Sequence, residues 1–165
     1  MMRMEKMRRK SRRGEGGQAI IEVALMTPWI FFLFVGALDF GLYSYALITT
    51  QNAARVAAMS GSFGGSAPAA ITTCNLVVAE MNSLPGTQSY VPGTYTCLYD
   101  TAPTTSNRIA IATPTTEAET DGSTAAVVTV SFLPLVAIPI PGVMNGPLTI
   151  TRTAKAPLLS SAPGG

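Results

Sequence analysis

At 165 residues the chain has room for one domain, or for a membrane segment plus a domain of about 100 residues, but not for two full globular domains. It is 47% hydrophobic and only 12% charged, where soluble domains carry roughly 25% charged residues, so a membrane segment or an unusually uncharged extracellular surface is expected. The sequence holds no His, which excludes Ser-His-Asp and Cys-His nucleophile systems and any His-ligated metal.

The formal net charge of +2 hides an asymmetry. Residues 1–17 carry seven basic residues (Arg3, Lys6, Arg8, Arg9, Lys10, Arg12, Arg13) against Glu5 and Glu15, a net +5, and the rest of the chain is −3. Basic residues packed directly before an apolar stretch are the signal that holds that end of a membrane protein in the cytoplasm. A cytoplasmic leader over 1–17 is therefore expected, and no nucleic-acid partner.

From residue 23 to residue 38 there is no charge, and the apolar character runs from 19 to 48 if Glu22 and Asp39 are allowed. About 20 residues suffice to cross a bilayer. On a continuous helix Asp39 lies about 31 Å beyond Gln18, against a hydrocarbon core of about 30 Å, so Asp39 is expected at the far membrane interface. Pro28 removes one backbone bond from this helix and favours a kink, which membrane helices tolerate.

Past the membrane the pattern becomes one-sided, with Ala46, Thr50, Ala53, Ala54, Ala57 and Gly61 at helical spacing beside Gln51, Asn52 and Arg55. Small residues on one stripe allow close approach of another element, so the helix is expected to span 18–60. A Gly/Ser/Pro-rich joint follows over 61–70. Ile71, Cys74, Val77, Val78, Met81 and Leu84 then predict a short amphipathic helix stopped by Pro85-Gly86.

Strand signals follow at 95–99, 108–113, 127–133 and 148–154, with Val128, Val130 and Phe132 on one face of the third and Leu148, Ile150 and Arg152 on one face of the fourth. The apolar, proline-punctuated link 134–147 is expected to cover a core edge, with a dip toward the outer membrane interface as the other reading. The tail 159–165 is expected to be disordered. The fold class is thus α+β: a long N-terminal transmembrane helix extending out of the membrane, packed on a small antiparallel β-sheet domain (71–158) with one short helix.

Cys74 and Cys97 both lie beyond the apolar helix, in an oxidising compartment if the N-terminus is cytoplasmic. One disulfide is expected, two unpaired thiols being the other reading. The acidic cluster Glu117, Glu119 and Asp121 lacks EF-hand spacing and reads as a solvated loop rather than a cation site. With no nucleophile–base pair and no glycine-rich phosphate loop, no catalytic residue, metal or cofactor is expected, and the chain is not read as an enzyme.

The run Gly16-Gly17-Gln18-Ala19-Ile20-Ile21-Glu22 resembles the type IV prepilin pattern of glycine, four mostly apolar residues and glutamate. Gly17-Gln18-Ala19, Glu22, Pro28, the stretch Gly36-Ala37-Leu38-Asp39-Phe40-Gly41 and then Gln51-Asn52-Ala53-Ala54-Arg55 resemble the TadE-like proteins of tight-adherence (Flp) pilus systems. The likeness covers about 40 residues. It departs at Asp39, where glutamate is commoner, and beyond Gly61 it is only loose, in the last two strands.

The resemblance implies a prepilin peptidase that cuts between Gly17 and Gln18, leaving Glu22 as the fifth mature residue. It implies an assembly role for Glu22, pairing with the α-amino group of a neighbouring subunit. The other reading of Glu22 is a carboxylate that snorkels back to the cytoplasmic headgroups. The implied function is that of a minor pilin or pseudopilin supporting a Flp-type pilus, with other pilin-like subunits, the pilus assembly machinery and the lipid bilayer as partners. It would be a single-pass protein of the bacterial cytoplasmic membrane, with its C-terminal domain outside. The alternative is a membrane-anchored extracytoplasmic binding module that enters no pilus.

Overall fold

A computed structural model describes residues 3–62, 64–135 and 148–159. The link over 136–147 and the tail from 160 onward lie outside these residues, and so do the expectations made for them. The chain divides into two units, Met1–Gly41 and Leu42–Gly165.

The first unit is helical. Helix α1 spans Arg3–Ser62, so it begins fifteen residues before the expected start at Gln18. Met, Glu, Lys and Arg in the leader are all good helix formers, and Gly16-Gly17 does not interrupt the helix. Along the apolar stretch the large side chains other than Val35 are exposed, from Leu38 at 50% to Leu33 at 74%. In water each such side chain forgoes about 1.5–3 kcal/mol of burial.

The second unit holds the end of α1, helix α2 (Ala70–Met81) and a five-stranded sheet: β1 Leu98–Tyr99, β2 Ile109–Ile111, β3 Thr115–Ala118, β4 Thr124–Phe132 and β5 Ile150–Pro157. The small-residue stripe of α1 is buried as expected, with Ala53, Ala54 and Ala57 fully covered. Gly61 ends the stripe where Pro68 folds back on it: a Cβ there would lie 2.6 Å from the proline ring. Opposite the alanines the sheet supplies volume through Ile109, Ile111, Val128, Val130, Phe132 and Ile150, all buried in one core with Cys74, Val77, Val78 and Met81 of α2.

Two details of α2 differ from expectation. The helix ends at Met81 rather than at Pro85-Gly86, because Thr87 Oγ1 donates to Met81 O (2.5 Å) and Leu84 O (2.8 Å) and turns the chain early. Ile71 is exposed and off the buried face, while Leu84 is buried beyond the helix end.

The sheet is mixed, not purely antiparallel. β1 runs parallel to β2, because the chain returns between them through a loop of nine residues (100–108) that does not reverse its direction. β4 is central: β5 pairs with it over residues 125–132, so β2 and β3 must share its other edge. β3 was not expected. It continues β2 after a bulge, for the register shifts by one residue between Ile111↔Val130 and Thr115↔Val127. Pro114 lacks an N–H and breaks the ladder there. Asp100 satisfies the displaced backbone, its carboxylate accepting from Thr113 N (2.8 Å) and Thr113 Oγ1 (2.5 Å). These bonds hold the Asp100 carboxyl below its ordinary pKa.

The expected face of the last strand is corrected at one position. Ile150 and Arg152 share the core-side face with Ala154 and Ala156, but Leu148 precedes β5 and is exposed.

Candidate processing and assembly segment

Helix α1 carries the motif residues, and those at its membrane-proximal start are exposed. Residues 18–22 form little more than one turn, which places Gln18 and Glu22 on the same face, and Gln18 Nε2 donates to Glu22 Oε1 across 3.4 Å. Both side chains are exposed. Thr27 Oγ1 bonds back to Val23 O (2.7 Å), immediately before Pro28, which leaves the Ala24 carbonyl without its usual i+4 donor. Pro28 sits inside α1, which continues on both sides of it. Asp39 is half-buried, four residues after the buried Val35.

Apart from their own turns of helix backbone and chain neighbours, Gly17, Gly36 and Gly41 have nothing within 4 Å of where a Cβ would stand. Among the described residues, then, these glycines are not demanded by packing within the chain. Small residues on an apolar helix are the places where a second backbone can come close.

Cys74 and Cys97 are joined by a disulfide, with Cα atoms 5.9 Å apart. It ties the buried face of α2 to the segment before β1. Asn75 Oδ1 accepts from Gly93 N (2.7 Å) and Tyr99 Oη donates to Ala70 O (3.1 Å), so the same two segments are sewn together beside it.

The structure brings together Gln18 with Glu22 and Cys74 with Cys97, and it leaves Pro28 and Asp39 at separate heights on α1. Among the described residues there is no group of three His, Cys, Asp or Glu placed to hold a metal. The acidic cluster is only in part the loop expected: Glu119 and Asp121 lie in the turn that follows β3, but Glu117 does not. Glu117 lies on β3, and Lys155 Nζ reaches across β4 to Glu117 (2.8 Å) and Glu119 (3.1 Å), bonds that push the Lys155 pKa up. Asp121 turns instead onto Ser123 N (2.9 Å) and Ser123 Oγ (2.6 Å), which lower its pKa. Only the pairing of β3 and β5 with the same strand reveals the Lys155 contact, since the partners stand 36 or more residues apart in sequence.

Among the described residues, one helix long and apolar enough to cross a membrane, with none of its most apolar stretch buried, suggests a single-pass membrane anchor carrying a small α+β domain. Residues 17–59 match the family model of the TadE-like proteins. The match lies wholly within α1 and starts at Gly17, the expected cleavage residue. Comparison with curated proteins and with solved structures gives no match for the chain.

Proposed function

We propose that the chain is a minor pilin or pseudopilin that supports assembly of a tight-adherence pilus. The observation that carries this reading is the TadE-like match over residues 17–59, whose first residue is the glycine ahead of the proposed cut. The basic leader stays in the cytoplasm, the apolar helix enters the cytoplasmic membrane, and the disulfide-bonded domain lies outside. A prepilin peptidase removes residues 1–17 and frees the α-amino group of Gln18.

Glu22 then lies about one turn inside hydrocarbon. A charged side chain placed in a membrane helix costs up to about 2.5–3.5 kcal/mol on insertion scales, and the single 3.4 Å bond from Gln18 compensates little of it. In an assembly the freed amine of a neighbouring subunit supplies the missing cation. The exposure of Glu22 on α1 supports this role, because the carboxylate is accessible to a second chain. The domain contributes contacts rather than catalysis.

The test has two arms. Mass spectrometry of the protein from its own host should give Gln18 as the mature N-terminus. Glu22→Ala should leave processing and membrane insertion intact and abolish surface pili. Normal piliation by a normally processed Glu22→Ala protein would overturn the assembly role and favour the anchored binding module.

A further inference from the structure

Strand β5 has a partner on one side only among the described residues, and the register with β4 decides which of its backbone groups are left over. Ala112 N donates to Thr129 O on the β2 side of β4, and Leu158 N donates to Thr124 O on the β5 side. Odd-numbered residues of β4 therefore direct their backbone groups toward β2 and β3, and even-numbered ones toward β5. In the observed register the even residues face Ile150, Arg152, Ala154 and Ala156. Thr151, Thr153 and Lys155 consequently point their N–H and C=O groups away from the sheet. All three residues are exposed, and the only bond to these groups among those described is a long one, from Arg152 Nη1 to Thr151 O (3.4 Å).

Such an edge is a template for another strand unless it is guarded, commonly by a lysine or a proline. Here the lysine does not guard it. The Lys155 ammonium is drawn the opposite way, over β4 onto Glu117 and Glu119, where its charge is neutralised. The proline, Pro157, stands at the end of β5 and limits the ladder rather than blocking it.

We infer that this edge pairs with the same edge of a second copy of this chain, antiparallel about a two-fold axis at Thr153. In that register Thr153 faces itself and Thr151 faces Lys155, so the three outward residues of each copy exchange about six backbone hydrogen bonds. Arg152 faces Ala154, and no charged residue faces its like. A two-fold at residue 152 sets two Arg152 side chains directly opposite, and one at residue 154 draws Pro157, which has no N–H, into the ladder. The register at Thr153 avoids both. The pairing does not depend on cleavage at Gly17 or on Glu22, so it stands or falls separately from the proposed function.

The test uses the full chain in detergent micelles with its native disulfide intact. Thr153→Cys should form a disulfide-linked dimer on mild oxidation, whereas Pro157→Cys, whose two copies stand about 26 Å apart in this register, should not. In the wild-type protein the Thr153 amide should exchange at least tenfold more slowly in concentrated than in dilute samples. Thr153→Pro removes an N–H that the chain's own sheet does not use, so it should keep β4 protected and lose the dimer. Equal cross-linking at 153 and 157, or none at 153, would overturn the pairing, whether or not Thr153→Pro folds. Protection of Thr153 that appears only when other envelope proteins of the host are added would assign the edge to a different chain and likewise overturn it.

Discussion

Residues 19–40 and residues 46–61 belong to one helix, yet they solve opposite problems. The first stretch is built from Ile, Leu, Phe, Val and Trp, which the chain leaves largely exposed. The second is built from alanines that the chain buries completely. A buried alanine removes little area from water, so its value lies in bringing the helix backbone close to a sheet that carries the bulk in Val128, Val130, Phe132 and Ile150. Large side chains on the first stretch demand an apolar medium around the helix. Hydrophobicity alone does not separate the two uses; side-chain size does.

Two phenylalanines give the largest test of that difference. Phe132 is 1% exposed and Phe32 is 64% exposed. Phe132→Ala should cost about 3–5 kcal/mol of domain stability through lost transfer energy and the cavity left behind, read as faster hydrogen exchange of the β4 amides in the detergent-solubilised protein. Phe32→Ala should leave those amides within about 0.5 kcal/mol of wild type. Equal effects of the two substitutions would break the comparison.

The disulfide sharpens it. Cys74 and Cys97 are 23 residues apart in sequence, and closing a loop of that size is worth about 3 kcal/mol in the chain-entropy description. Replacing both by Ser should lower the denaturant midpoint of the domain accordingly, while hydrogen exchange over residues 20–40 stays unchanged. An unchanged midpoint would mean that the packing of α2 on the sheet holds this segment without the bond.

How much of this was legible depends on whether a residue's environment repeats along the chain. The buried stripe of α1 and the core face of β4 were readable because periods of 3.6 and 2 mark them directly. β3 was not, since Thr-Thr-Glu-Ala is exposed on every residue and follows a proline that looks like a strand end but makes a bulge. A strand over 95–99 was legible and β1 lies at its end, but its shortness to two residues and its parallel direction, set by a loop, were not. Ile71 is exposed despite its spacing, because one apolar residue at helical spacing can still fall at the edge of the stripe. In the candidate segment, the motif residues and the cysteine pair were visible. The ion pairs of Lys155 and the open edge of β5 were not, because they depend on which strands neighbour β4.

The smallest expected effect comes from alkaline pH, which acts on one side of the comparison only. Residues 17–41 contain no Tyr, Lys, Arg or Cys, so no group of those types there can lose a proton as the pH rises. In the domain, Tyr95 stacks on Tyr90 with ring centroids 3.9 Å apart and donates its hydroxyl to Asn107 Oδ1. Burial, and then the neighbouring Tyr90 phenol, push its pKa well above the ordinary tyrosine value of 10.0. Burial alone pushes Tyr99 in the same direction. A folded-state pKa raised in this way means that the folded protein holds the phenol proton more tightly than the unfolded chain does. The associated stability is fully present below pH 10 and is lost as the pH rises from there through the folded pKa. Hydrogen exchange of the β2 and β4 amides, corrected for the intrinsic pH dependence, should therefore show constant stability from pH 7 to about 9.5 and a decline above pH 10. Tyr95→Phe should be somewhat less stable at pH 7, because Asn107 Oδ1 loses the Tyr95 donor, and should show a shallower decline. A decline just as steep in Tyr95→Phe would remove Tyr95 from the account and place the alkaline sensitivity on Tyr99 and the rest of the domain.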